Sequence, residues 1–457
     1  MSLASINPYS LETIRTFPEC PPDEMLRIVA KTVEARQEWA HTELESRCSL
    51  LRELAKQLRD GIHYHARTIT LEMGKPITEA RAEIEKCAAL CDHYAEHGPG
   101  YLQSRPLSSD HDRSFVRYEP IGIVLAIMPW NFPYWQVFRA VIPAILAGNG
   151  AILKHASNVT SCALSIEALF PSCGFPCDLM RAIPVTGANT ALLIAHPHIA
   201  GLSFTGSNEA GEKIAGLAGT QIKRTVLELG GSDAALVLHD ADLDLAAERT
   251  VRGRMLNAGQ SCIASKRILV HTSVLDDYLD RVRHHIDKLE MGDPLEPSTT
   301  LGPLATQSVH EQIQQQVEGS ILKGADCWMP ECYADAALKG WQYAPTLLTQ
   351  VTPEMPVWNE ETFGPVLCVS TFANEREAVQ LANHTRWGLG ASIYSIDLER
   401  ALGIGEQIEV GTCTINDIVK SDPRIPFGGV KKSGYGRELG IEGIREFTNV
   451  KTYHIQS

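Results

Sequence analysis

Two short words carry the reactive groups of this sequence. Leu-Glu-Leu-Gly-Gly (227–231) sets Glu228 between apolar residues at the end of a β-rich run, and Gly-Gln-Ser-Cys (259–262) sets Cys262 among small, flexible residues. Burial disfavours an ionised carboxylate, so Glu228 is expected to titrate high, which suits a general base. A thiol in a mobile loop, where Gly and Ser let a backbone N–H approach a reacting atom, suits a nucleophile. Each residue also has an ordinary reading. A cysteine is commonly a small buried hydrophobe, and a Glu beside Gly-Gly is commonly a solvated turn residue.

The elements that must hold these groups follow from hydrophobic periodicity. From Pro21 to about His97 apolar residues recur at helical spacing, and Gly98-Pro99-Gly100 reads as the stop. After a polar loop, SRPLSSDHDRS, the period changes. FVRYEPIGIVLAIMPW reads as two strands broken at Pro120, and from there to TVLELGG short β-rich runs alternate with helices. That alternation signals a parallel, doubly wound sheet, the usual home of a nucleotide cofactor. A second α/β alternation runs from Asp233 to about Val419. No G-x-G-x-x-G follows the first strands, and Gly206 to Gly211 lacks the Lys-Ser/Thr of a P-loop. Phe204-Thr205-Gly206-Ser207 instead offers a strand end, a Gly turn and a Ser at a helix start, which is a cradle for a pyrophosphate.

Composition excludes several classes. The chain has 457 residues, a net charge of −14, 44% hydrophobic and 21% charged residues, as expected for a soluble globular protein of several domains. The acidic balance argues against a nucleic-acid partner, and Arg139 or the pair Lys431 and Lys432 would stand out as a basic cluster able to focus a small anion. The longest apolar runs, Ile121–Met128 and Ala140–Ala147, fall short of the roughly 18 residues that span a bilayer, so no membrane is expected. No secretory signal is recognised, and the first few residues are open to reading as an appended remnant. Twelve scattered cysteines without export fit free thiols in a reducing cytoplasm. None of them has the spacing of a metal site, so no metal is expected.

Taken together, PWNFP (129–133), LKHAS (153–157), FTGS, LELGG, GQSC, ETFGP (361–365) and PFGGVKKSG (426–434) resemble, in order and over essentially the whole chain, the NAD(P)-dependent aldehyde dehydrogenase superfamily. The chain length, LKHAS and the tail SDPRIPFGGVKKSGYGREL resemble most the compact bacterial succinate-semialdehyde dehydrogenases. The resemblance implies an α/β fold with a Rossmann-type cofactor domain (1–104 and 125–230), an α/β catalytic domain (231–425) and a small β oligomerisation element (105–124 and 426–457) that makes a homodimer or homotetramer. It implies Cys262 as nucleophile, Asn131 as oxyanion donor with the Cys262 N–H, and Glu228 as the base that activates water. Cofactor contacts would come from Trp130, Lys154, Ser157, Gly206, Ser207, Glu361 and Phe363. NAD-preferring members carry a Glu where this chain has Ser157, so NADP is expected, with NAD possible; Ser157 can also be read as merely permissive.

The same resemblance implies a semialdehyde substrate whose far carboxylate meets Arg139 and Ser421, with Trp135 and Phe427 walling the pocket and Arg424 nearby. Arg139 on an apolar helix is otherwise explained only as a side chain reaching the surface. The chain departs from relatives at Ala140, Leu256 and Ala264, where some carry a lysine, a second arginine and a second cysteine. The last departure predicts no disulfide switch beside Cys262. Competing readings are the same chemistry on glutarate semialdehyde or another aliphatic aldehyde, a CoA-acylating enzyme, and a non-catalytic binding protein.

Overall fold

Alternating β-rich runs and helices build two mainly parallel sheets in this computed structural model, which describes residues 2–334 and 336–456. Strands β1 (Ser2–Ile6) and β2 (Thr13–Pro18) form an antiparallel pair, followed by helices α1 (Pro22–Ala40), α2 (Leu44–Asp60), α3 (Ile62–Met73) and α4 (Ile77–Tyr101). Strands β3 (Arg105–Leu107) and β4 (Arg113–Pro120) precede the first large sheet. That sheet takes β5 (Ile123–Met128), α5 (Trp135–Leu146), β6 (Gly150–His155), α6 (Thr160–Ser172), β7 (Met180–Ala182), α7 (Gly187–Ala195), β8 (Ile199–Thr205), α8 (Asn208–Thr220) and β9 (Arg224–Glu228). Its order is β9-β8-β5-β6-β7, all parallel. Both faces are covered, and β5 shows why its sequence is apolar throughout. Ile123, Leu125 and Ile127 face α1, α7 and α8, while Ala126 and Met128 face the layer containing α4, α5 and α6.

The second sheet begins five residues after Glu228 leaves the first, with β10 (Asp233–Val237), α9 (Leu243–Met255) and β11 (Ser265–His271). Later strands are β12 (Asp326–Trp328), β13 (Thr346–Thr349), β14 (Val366–Phe372), β15 (Trp387–Gly388), β16 (Gly390–Tyr394) and β17 (Thr412–Ile415), and all but β15 join it in the order β12-β13-β14-β11-β10-β16-β17. The tail carries β18 (Val430–Lys431), β19 (Gly434–Tyr435) and β20 (Thr448–Ile455).

Four expectations change here. The helix does not stop at Gly98. Arg52 Nη2 donates at 3.3 Å to the Ala95 carbonyl, the acceptor that Pro99 leaves without its helical donor, so α4 runs on to Tyr101. The polar loop contains β3, which pairs with β4. Residues near the N-terminus are part of the fold, since β1 pairs with β2 and Ser5 Oγ donates to buried Glu72 at 2.5 Å. The tail from 426 onward does not form one element with 105–124. Only β20 joins β4, whereas β18 pairs with β15 and β19 with β9.

Candidate active site

Strand order in the first sheet reverses between β5 and β8, because β6 and β7 extend it one way and β9 the other. Ligands of open parallel sheets bind outside the carboxyl ends of strands at such a reversal. The segments that emerge there are Pro129–Tyr134 after β5 and Gly206-Ser207 after β8. A cleft of about 240 Å³ opens between them, lined by Trp130, Asn131, Gly206, Ser207, Cys262, Glu361 and Phe363 among others. Thus most of the residues selected for cofactor binding and two of the three catalytic candidates meet at one place.

The turn after β5 is fixed from behind. Glu83 of α4 accepts from the Tyr134 and Trp135 backbone N–H groups at 2.8 and 3.0 Å, capping α5, and is itself neutralised by Lys75. Burial pushes the His155 pKa down to about 4. The neutral ring then accepts from Ala156 N at Nδ1 (2.9 Å) and donates from Nε2 to the Pro133 carbonyl (2.9 Å). Asn131 has its amide orientation set by Gln136 Nε2, which donates to Asn131 Oδ1 at 3.0 Å. Its Nδ2 consequently faces the cysteine loop and donates to Gln260 O at 3.0 Å, leaving a second N–H for an oxyanion.

The loop holding Cys262 is pinned, contrary to the mobile loop expected. Asn257, Ala258 and Gly259 have φ of 55°, 52° and 74°, a left-handed run that non-glycine residues keep only when other contacts hold it. Glu79 Oε2 accepts from Asn257 N at 2.8 Å, and Asn257 Nδ2 donates to Asn131 O at 2.8 Å. Fully buried Lys266 donates to the carbonyls of Ser261 (2.8 Å) and Cys262 (2.7 Å) and pairs with Glu361 at 3.1 Å. Gly231 is required by the same crowding, since a Cβ there would stand 2.6 Å from Cys262 O. Burial pushes the Cys262 thiol up to about 11, with Arg139 and Lys266 opposing the shift.

Glu228 ends β9 as expected, and burial raises its carboxyl well above the usual range although Arg139 opposes this. Neither of its oxygens has a hydrogen-bond partner. Its side chain does not line the cleft; Leu229 and Gly230 do. Glu228 is nevertheless close enough to influence the titration of Cys262.

On the cofactor side, Trp130 and Phe363 meet edge to face at 5.7 Å. Ser207 caps α8, its Oγ accepting from Ala210 N at 3.4 Å. Glu361 accepts from Gly231 N at 3.1 Å. Lys154, the last residue but one of β6, is half-buried, and burial lowers its pKa. Ser157 is exposed on the short turn that follows.

The substrate-side residues are arranged differently from expectation. Trp135 Nε1 donates to Ser421 Oγ at 3.0 Å, so these two do meet. Arg139, 3% exposed, is no surface side chain. Nor is it an unpaired charge awaiting a ligand, because its Nε pairs with Glu438 and its guanidinium stacks 5.0 Å from the Phe427 ring. The other basic residues singled out in the sequence are also paired. Lys431 pairs with Glu409 at 3.1 Å and Lys432 with Glu212 at 2.8 Å. Arg424 is held by Asp422.

Sequence reasoning missed Gln136, Lys266 and Lys86. Gln136 and Lys266 had a signal: a polar residue within the apolar α5, and a lysine entering the apolar run of β11. Lys86 looked like any charged residue on a helix.

The Aldehyde dehydrogenase family model matches residues 1–453. The chain is 44% identical over 456 residues to a probable succinate-semialdehyde dehydrogenase (NADP(+)) of Synechocystis sp., covering 100% of both chains. It is 40% identical over 449 residues to the Escherichia coli succinate semialdehyde dehydrogenase (NAD(P)+) Sad, covering 98% of this chain and 96% of that one. The crystal structure of succinic semialdehyde dehydrogenase from Streptococcus pyogenes in complex with NADP+ superposes with a TM-score of 0.96 at 33% identity, with 100% of each chain covered. A cysteine and an asparagine amide at the switch point of a doubly wound sheet, and a match in family and fold over the whole length, have one common account: this chain belongs to the aldehyde dehydrogenase family.

Proposed function

We propose that the chain oxidises succinate semialdehyde to succinate, with NADP as the preferred hydride acceptor. The observation that carries the chemistry is the pinned Cys262 loop facing the oriented Asn131 amide across the cleft. The substrate and cofactor rest on the names of the relatives above, on Trp135 and Ser421, and on the fit of the cleft to NADP. That fit is chemical. Half-buried Lys154 has no hydrogen bond or ion pair among the described residues, which suits a phosphate, and Ser157 brings no carboxylate to repel one. The N-terminus of α8 at Ser207 suits the pyrophosphate, and Trp130, Glu361 and Phe363 line the nicotinamide end.

In this reading Cys262 Sγ, once its proton has left, adds to the aldehyde carbon. The resulting oxyanion is held by Asn131 Nδ2 and the Cys262 N–H. NADP, when bound, accepts the hydride that leaves that carbon. The thioester left on Cys262 is then cleaved by a water whose proton goes to Glu228, releasing the acid and the thiolate. Burial raises both the Cys262 thiol and the Glu228 carboxyl above their ordinary values, so turnover rises with pH as these groups lose their protons.

Residues 1–104 and 125–230 form the cofactor region in this proposal, and 231–425 the catalytic region. Segment 105–124 with the tail β20 forms the contact of a homodimer or homotetramer. Solvent-facing β20 and the open edges at β3 and β17 support that contact. Twelve free cysteines support a reducing compartment, the cytoplasm, and no helix among the described residues is long and apolar enough to cross a membrane. The test is absorbance of reduced cofactor with succinate semialdehyde, glutarate semialdehyde and butanal, each with NADP and with NAD. Fast turnover for succinate semialdehyde with NADP is expected. Equal rates with butanal would overturn the substrate, and no reduction with any pair would overturn the reaction.

A further inference from the structure

The wall beside Trp135 holds a lysine that nothing above uses. Lys86 lies on α4, half-buried, with Nζ donating to Ser421 Oγ at 2.9 Å and standing 4.1 Å from the centre of the Trp135 ring. Trp135 Nε1 donates to the same Ser421 Oγ at 3.0 Å. A hydroxyl has two lone pairs and one proton. With both lone pairs taken, Ser421 can only donate, and Lys86 keeps further N–H groups of its own. Every unspent polar group here is a donor, and one is cationic, so the site accepts an anion and offers nothing to an apolar chain end or to an ammonium group.

The charges around Lys86 do not satisfy it. Glu83 on the same helix is bound to Lys75 and to the start of α5, and Asp422 is held by Arg424. No carboxylate among the described residues forms an ion pair with Lys86. Arg139, the remaining charged neighbour, repels it, and burial together with Arg139 lowers its pKa to about 8, with Cys87 on the same helix a minor influence. Cys262 packs against the buried cluster that contains Trp135 and Phe427, which sets the Lys86–Trp135–Ser421 group on the thiol's side of the fold.

We propose that Lys86 joins the Ser421 hydroxyl proton in holding the far carboxylate of the substrate. The proposal rests on the semialdehyde reading above.

The test compares the holoenzyme with Lys86→Met and Lys86→Arg, measuring kcat and KM for succinate semialdehyde and for butanal. If the wild type prefers the semialdehyde, Lys86→Met is expected to lower that preference by about tenfold or more, through KM, and Lys86→Arg to retain most of it. KM for the semialdehyde should also rise above pH about 8 in the wild type, as Lys86 loses its proton, and not in Lys86→Arg. A preference unchanged in Lys86→Met overturns the Lys86 assignment and leaves the substrate standing. A wild type with no preference for the semialdehyde overturns both.

Discussion

The proposed nucleophile, Cys262, should be an unusually poor acid in the resting chain, and alkylation reads this directly. Burial places the Cys262 thiol at about 11 against an ordinary 9.0. Near pH 8 a thiol at the ordinary value is about one-tenth thiolate and one at the shifted value about one-thousandth, a difference of about 2.7 kcal/mol. Only the thiolate reacts. In cofactor-free protein, iodoacetamide should therefore modify Cys262 about a hundredfold more slowly than an unshifted thiol of equal access, and its rate should climb tenfold per pH unit from near neutrality to pH 10 without levelling. Peptide-resolved mass spectrometry separates it from exposed Cys177 and Cys332, which serve as references. Steric shielding would lower the rate but not the pH at which it levels, so a plateau at or below pH 9 would refute burial as the controlling influence. Arg139 is the strongest opposing influence on this thiol. The double variant Arg139→Met/Glu438→Gln, which does not leave the Glu438 carboxylate buried without its partner, should move the curve further up.

Glu228→Gln should accumulate acyl-enzyme visible by intact mass, and a full later turnover would contradict its role as base. The raised pKa of Glu228 means the folded chain keeps a proton that the unfolded chain loses above about pH 4.5. That contribution to stability is present at low pH and declines as pH rises, so the neutral isostere should melt no lower than the wild type near pH 8; a melting point several degrees lower there would show that Glu228 is ionised in the fold. Asn131→Ala removes the oriented amide and should lower kcat by about a hundredfold or more with little change in KM, and a loss under tenfold would move the oxyanion elsewhere. Ser157→Glu should shift the kcat/KM ratio towards NAD, and an unchanged ratio would leave Ser157 without a part in cofactor choice.

Much of this was legible from local patterns, because both periodicity and turn chemistry are short-range. The apolar alternation of β5, the β-to-helix rhythm up to Glu228 and the reactive words at 204–207, 227–231 and 259–262 each reflect interactions within a few residues. Gly98-Pro99-Gly100 misled for the complementary reason. Its helix survives on a hydrogen bond from Arg52 to Ala95, which spans 43 positions of chain.

The sequence by itself determined the class of fold and singled out the candidate nucleophile and the words that line the cleft, since those depend on residue types and near neighbours. Tertiary structure alone decided which charges are spent and which are free. Arg139 looked available until Glu438, from the far end of the chain, closed on it, and Lys86 looked like a solvated helix residue until Ser421 and Trp135 converged on one hydroxyl. A buried charge acquires its meaning from its partner, and these partners are brought together only when the sheets and helices pack.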